Sequence, residues 1–438
     1  MKNWLTLCLF IPYLAFGQMD QGSKMQWFQD AKLGIFIHWG LYSVNGISES
    51  WAFYNGYISH EDYLKQIEGF SAENYDPEYW AELIKKSGAQ YSVITSKHHE
   101  GFALWDTQFG NFDAVNAAAG KDVLSPFVKA LQEQNIKVGL YYSLPDWSYS
   151  DYTHHTKTKQ RYKISEDPAR WKKFQTYMFG QMGELRDQFQ PDLWWFDGDW
   201  EHKAEEWRVD HIKSFLSEKN PNVIFNSRLN GQGDYATPEI GVPVLRPAAK
   251  YWELCMTMND SWGFQYNDRN YKSPQQIIDI FVDCISKGGN LLLDIGPKGD
   301  GSIPEEQVQL LQELGNWTRK HQEAVYGTRA GIPYDHYYGP TALSADSTML
   351  YVYVRDIPKD GKVLLKGIKN RINRAYVVGD ATILDQKTYC KVYWNAYPGL
   401  TYLELPEQAL DPYYTVIAVV LDGPINLYRE QTGAIESN

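Results

Sequence analysis

The sequence predicts an α/β protein: a (β/α)8-like (TIM) barrel followed by a C-terminal all-β sandwich domain. Three observations predict it. From about residue 25 to 330, short apolar runs alternate with polar loops and amphipathic helical stretches, the order expected of repeated β–α units. Several of those runs are continuous β-branched or aromatic segments, which suit strands buried on both faces of a parallel sheet. After about residue 335 helical periodicity disappears, and short alternating runs are separated by Gly, Pro and Asp. An open doubly wound sheet would alternate in the same way, but its G-x-G-x-x-G fingerprint after a first strand is absent.

The elements follow in order. Lys2 precedes an apolar stretch from Trp4 to Phe16, and Ala15-Phe16-Gly17 offers small residues for cleavage before Gln18. Residues 1–17 therefore read as a secretory signal peptide, and the expected location is periplasmic or extracellular. No later stretch approaches the roughly 18 apolar residues of a membrane span. The barrel is expected over 18–334, with strands in "LGIFIHWG", "YSVITSKHH", "KVGLYYSLPDW", "DLWWFDGDW", "NVIFNSR" and "GNLLLDIGP". "DPEYWAELIKKSG" should be a helix capped by Asp76 with Pro77 in its first turn. "SPQQIIDIFVDCISKGG" repeats that logic with Ser273 and Pro274, and "IPEEQVQLLQELGNW" opens a third helix on Pro304. The sandwich is expected over 335–438, from "TMLYVYVRD" to "YYTVIAVVLDG".

Composition narrows the function. The net charge of −12 argues against a nucleic-acid partner, because phosphate binding wants a basic face. The chain holds 16 Trp and 32 Tyr. These serve core packing or, more sharply, supply flat platforms for sugar rings. Beyond Cys8 in the leader there are Cys255, Cys284 and Cys390, a sparse odd set that reads as free thiols rather than a disulfide scaffold.

In barrels of this kind the chemistry sits at the carboxyl ends of the strands. The runs end in His38-Trp39, in Lys97-His98-His99-Glu100, in Tyr141 and Asp146-Trp147, in Asp197 and Asp199, and in Asn226 and Arg228; Glu239 and Glu253 follow. Polar, titratable groups beside aromatics at every strand end mark the floor of a site. Adjacent strand residues point to opposite faces, so His98 and His99 can both face that site only where the strand has begun to turn. Asp197 and Asp199 are two apart and would share a face as a working pair. No H-x-H, H-E-x-x-H or C-x-x-C spacing supports a metal, and none is expected.

"WFQDAKLGIFIHWGLYS", "VITSKHHEGFALWDT", "KVGLYYS", "DLWWFDGDW", "GGNLLLDIGPKGDGSIP" and "AVYGT" resemble, in the same order, motifs of the exported α-L-fucosidases of glycoside hydrolase family 29. The resemblance spans about residues 25 to 330. It implies a barrel with a C-terminal β-sandwich, retaining hydrolysis of α-L-fucosides in fucosylated oligosaccharides or glycans, and no cofactor. It also implies Asp197 as nucleophile and His38, His98, His99, Tyr141, Arg228 and Trp262 as sugar-binding residues. Glu49 and Trp51 match a Glu/Trp pair of the first loop, here split by Ser50. Glu239 in "TPE" matches the acid/base, with Glu253 in "WELC" as rival or pocket residue. "NSRLNG" departs from the usual Asn-Asp-Arg-Trp-Gly run around Arg228. Two other functions fit the same residues. An α-L-galactosidase would differ only by admitting a C6 hydroxyl, and a non-catalytic sugar-binding protein would not need both carboxylates.

Overall fold

The computed structural model describes residues 21–357, 359–394 and 396–429; the signal peptide expected at 1–17 lies outside them. Seven parallel strands form one curled sheet: β1 Leu33–Ile37, β2 Tyr91–Lys97, β3 Lys137–Ser143, β4 Leu193–Asp197, β5 Ile224–Phe225, β6 Glu253–Thr257 and β7 Asn290–Ile295. Their order across the sheet is β5-β4-β3-β2-β1-β7-β6. The eighth staves of the barrel are supplied by an irregular segment. Asp234 donates its N–H to the Phe225 carbonyl at 2.7 Å, while Glu253 and Cys255 donate theirs to Ala236 and Pro238 at 2.9 and 3.1 Å. Residues 234–240 thus bridge the two sheet edges. Pro238 has no N–H to give, which is one reason the segment forms isolated bridges rather than a regular strand.

Side-chain alternation builds two cores. Phe36, Tyr141, Leu193, Trp195, Cys255 and Leu292 point into the barrel, whereas Ile35, Ile37, Leu140, Trp194 and Phe196 face the surrounding helices. This is why the strands read as continuous apolar runs. The helices start as their sequences require: Asp76 accepts from Tyr79 N–H ahead of Pro77–Lys86, and Ser273 and Gln276 cap Pro274–Ser286 reciprocally.

The C-terminal part is a sandwich of a five-stranded and a three-stranded antiparallel sheet around Leu350, Val352, Val363, Leu403, Ile417 and Val419. Its larger sheet begins at Arg329–Ala330, ahead of residue 335, and runs to Thr415–Leu421. The alternate residues Tyr351, Tyr353, Val416 and Ala418 join the main core, so this sheet packs one face on the barrel and the other on the three-stranded sheet. Cys255 and Cys284 are buried free thiols and Cys390 is an exposed one. Among the described residues no helix is long and apolar enough to cross a membrane.

Candidate active site

A cavity of about 270 Å³ opens at the carboxyl ends of the strands, lined by Phe36, His38, Glu49, Trp51, His98, Tyr141, Trp195, Asp197, Trp200, Arg228, Glu239 and Trp262. Pockets for drug-sized ligands run to roughly 300–1,000 Å³, so this one suits a single small ring.

Asp197 ends β4 at the centre. Tyr141 donates its hydroxyl to Oδ2 of Asp197 at 3.0 Å, and Arg228 Nη1 donates to Oδ1 at 3.0 Å. Both oxygens of the carboxylate are therefore held, and its orientation is fixed before any ligand arrives. The chain then leaves the strand through Gly198, at φ 82°, where a Cβ would stand 2.2 Å from Pro145 Cδ; only glycine fits. This turn also separates Asp199 from Asp197. Instead of sharing a face with it, Asp199 accepts from Asn230 N–H at 2.5 Å and does not line the cavity.

Arg228 is the hub of the site. Its Nη2 donates to Glu239, and its guanidinium lies over the Trp195 ring at 4.6 Å. Burial alone would weaken its charge, but the carboxylates of Asp197 and Glu239 outweigh burial and hold the guanidinium firmly protonated. Glu239 comes from the bridging segment 234–240, which explains how a residue outside any regular strand reaches the cavity.

Two of the histidines, His38 and His99, are held neutral by burial. Burial, with His98 and Arg228 nearby, pushes His38 well below its usual range; Nδ1 of His38 pairs with Asp294 Oδ1 at 2.7 Å. Burial, and then His98 and Lys97, does the same to His99. His99 does not line the cavity. It backs the central carboxylate, with Nδ1 on Ser143 Oγ at 2.6 Å and Nε2 3.5 Å from Asp197 Oδ2. His98 stacks on Tyr141 with ring centroids 5.5 Å apart, and its Nδ1 meets Ser50 Oγ at 2.5 Å. Ser50, the residue that splits Glu49 from Trp51, therefore fixes His98; it also bonds Glu100. Glu49 accepts from Gly263 N–H at 2.8 Å, which ties the Trp51 loop to the Trp262 loop, and burial raises its carboxyl. Trp262 packs on His38 at 5.1 Å.

Glu253, expected at the site, is elsewhere. It is the first residue of β6, at the opposite end of the barrel, fully buried, accepting from Tyr91 Oη at 2.5 Å and Trp195 Nε1 at 3.1 Å. It touches the site only through Trp195. Four participants were not expected from the sequence: Phe36, Trp195 and Trp200 in the cavity wall, and Asp294 behind His38. Strand alternation could have found Trp195, which is two residues from Asp197 and shares its face. Among the described residues no cluster of His, Cys, Asp and Glu is arranged to hold a metal.

A carboxylate fixed on both oxygens, a second carboxylate on the same guanidinium, buried histidines and aromatic walls form a site for displacement at a sugar carbon. Comparisons with known proteins agree. A family model described as Alpha-L-fucosidase matches residues 15–323. The chain is 28% identical over 393 residues to an alpha-L-fucosidase of Dictyostelium discoideum, covering 81% of this chain and 83% of that one. It is 30% identical over 345 residues to the tissue alpha-L-fucosidase of Rattus norvegicus, covering 71% of each. Alpha-L-fucosidase isoenzyme 1 from Paenibacillus thiaminolyticus superposes with a TM-score of 0.82 at 31% identity, over 92% of this chain and 99% of that one. An alpha-L-fucosidase from Bacteroides thetaiotaomicron, trapped as a covalent intermediate with 2-fluoro-fucosyl fluoride, superposes with a TM-score of 0.80 at 27% identity, over 92% and 96%.

Proposed function

The chain belongs to the alpha-L-fucosidase family, and we propose that Asp197 and Glu239 carry its reaction as nucleophile and general acid–base. The activity is that of a retaining glycosidase that releases fucose. Asp197 attacks the anomeric carbon of a terminal α-L-fucosyl unit while Glu239 protonates the departing glycosidic oxygen. Glu239 then takes a proton from the water that opens the glycosyl-enzyme. Two inversions give retention.

The observation that carries this reading is the shared guanidinium. Retaining hydrolysis needs carboxyls about 5–5.5 Å apart, and Arg228 holds one on each of its terminal nitrogens. Asp197 is buried and held by Tyr141 and Arg228, whereas the Glu239 side chain is 41% exposed at the cavity mouth. The pairing with Arg228 favours the Glu239 carboxylate, so to act as the acid Glu239 must exchange Arg228 for the leaving oxygen. His38, His98 and Tyr141 offer hydrogen bonds to ring hydroxyls, with His99 supporting Asp197, Glu49 supporting the loops, and Trp262 and Trp51 offering apolar faces for the C5-methyl side. The substrates are fucosylated oligosaccharides or glycans, and the apolar leader of residues 1–17 supports export to the periplasm or beyond.

The test uses leaving groups. General acid catalysis is worth about 10²–10⁴-fold when the leaving group is poor. Glu239→Ala should lose about that factor on a fucosylated oligosaccharide and far less on dinitrophenyl fucoside, with azide giving an α-fucosyl azide. Equal losses on both substrates would remove Glu239 from the acid–base role.

A further inference from the structure

The cavity has a closed end and an open one. Phe36, His38, Tyr141 and Trp195 at the floor are almost wholly buried, while Trp200 at the rim is 55% exposed and stands with the partly exposed Glu239. With a terminal sugar seated floor-first, the bond to be cut faces the open end, where Glu239 and Trp200 stand.

Trp200 is built to stay where it is. It sits in a short 3-10 turn, Asp199–Glu201, between two anchored neighbours. The Asp199 carbonyl accepts from Trp207 Nε1 at 3.0 Å and Asn230 Nδ2 at 3.1 Å, and its carboxylate accepts from Asn230 N–H. Glu201 accepts from Trp147 Nε1 at 2.9 Å and from the Tyr152 hydroxyl. The indole itself lies nearly parallel to Trp51, 16° apart with centroids at 6.4 Å. A large apolar ring carried on an anchored turn at a polar rim is a stacking surface whose backbone is already ordered before a ligand covers it.

We propose that Trp200 is the platform for the leaving-group sugar, so that the enzyme prefers fucose attached to a pyranose with an unbroken C–H face, such as galactose. This rests on the reading of the cavity floor as the fucose site and adds the chemistry of the neighbouring unit. C–H faces stack on aromatic rings while ring-edge hydroxyls stay in water.

The test compares two substrates that both need the acid but differ in having a ring to stack: fucosyl-α-galactose and methyl α-L-fucoside. In Trp200→Ala the ratio of kcat/KM for the disaccharide to that for the methyl glycoside should fall roughly tenfold, with Trp200→Phe falling less. A ratio within about twofold of wild type in Trp200→Ala would overturn the proposal, because any effect would then be common to both substrates. If the wild-type enzyme cleaves neither fucoside, the reading of the floor fails instead, which is a separate result.

Discussion

Arg228 Nη1 lies 3.0 Å from Oδ1 of Asp197, and the other terminal nitrogen of the same guanidinium holds Glu239. A lysine carries one ammonium and cannot span both carboxylates. Arg228→Lys should therefore lower kcat about 100-fold, as for removal of a single preorganised donor. Steady-state kinetics checks this, and added guanidinium should restore part of the rate to Arg228→Ala. A lysine variant with wild-type kcat would show that the bridge is incidental.

Tyr141 fixes the second oxygen of Asp197. Tyr141→Phe keeps the ring and its stacking on His98 and Trp195 but deletes the donor. A hydrogen bond to a charged group is worth about 1.5–3 kcal/mol, so kcat/KM should fall roughly 10–100-fold. The thermal midpoint should move little, because the variant keeps the packed volume. A large stability loss with little kinetic effect would contradict the assigned role.

Glu253 should behave oppositely to Glu239. Burial raises its carboxyl from the ordinary 4.5 to about 7. The folded protein thus keeps a proton that the unfolded chain releases above pH 4.5. The stabilisation from that proton is complete below 4.5 and is lost as pH rises through 7. A glutamine can accept from Trp195 and donate to the Tyr91 oxygen without ever ionising. Glu253→Gln should therefore gain thermal stability relative to wild type between pH 5 and pH 8, read by calorimetric melts at both values, while keeping turnover. A stability difference that does not change with pH would exclude ionisation of Glu253 in this range.

The misplacement of Glu253 shows what the sequence could and could not tell. The rule that chemistry follows an apolar run located His38, His98, Asp197 and Arg228, each at or just beyond the carboxyl end of its strand. Glu253 precedes its run, "ELCMT", and so begins the strand at the other end of the barrel. Strand direction was readable there and carried more information than the residue type. Glu239 was harder to place, because its segment pairs only through isolated bridges around Pro238 and has no strand signature.

Other parts of the site depend on contacts that no local pattern reports. Asp294 lies inside the apolar run "NLLLDI", and its partner His38 is 256 residues away. The expected pairing of Asp197 with Asp199 assumed that the strand continued, whereas Gly198 ends it with a left-handed turn. The barrel and sandwich were legible because their signals are periodic and extend over many residues. The edge strand Arg329–Ala330 is two residues long and leaves no periodicity to read.

The central claim is that Asp197 forms the covalent bond to the sugar. A 2-deoxy-2-fluoro-α-L-fucosyl fluoride destabilises the positively charged transition states at both steps, while its fluoride departs without needing an acid, so the glycosyl-enzyme accumulates. Incubating the intact protein with this reagent and mapping the labelled peptide by mass spectrometry locates the bond. The label is expected on the peptide containing Asp197, and absent from it in Asp197→Asn. A label on Asp199, on Glu239 or on any other residue, or a turnover-competent protein that never becomes labelled, would contradict the account.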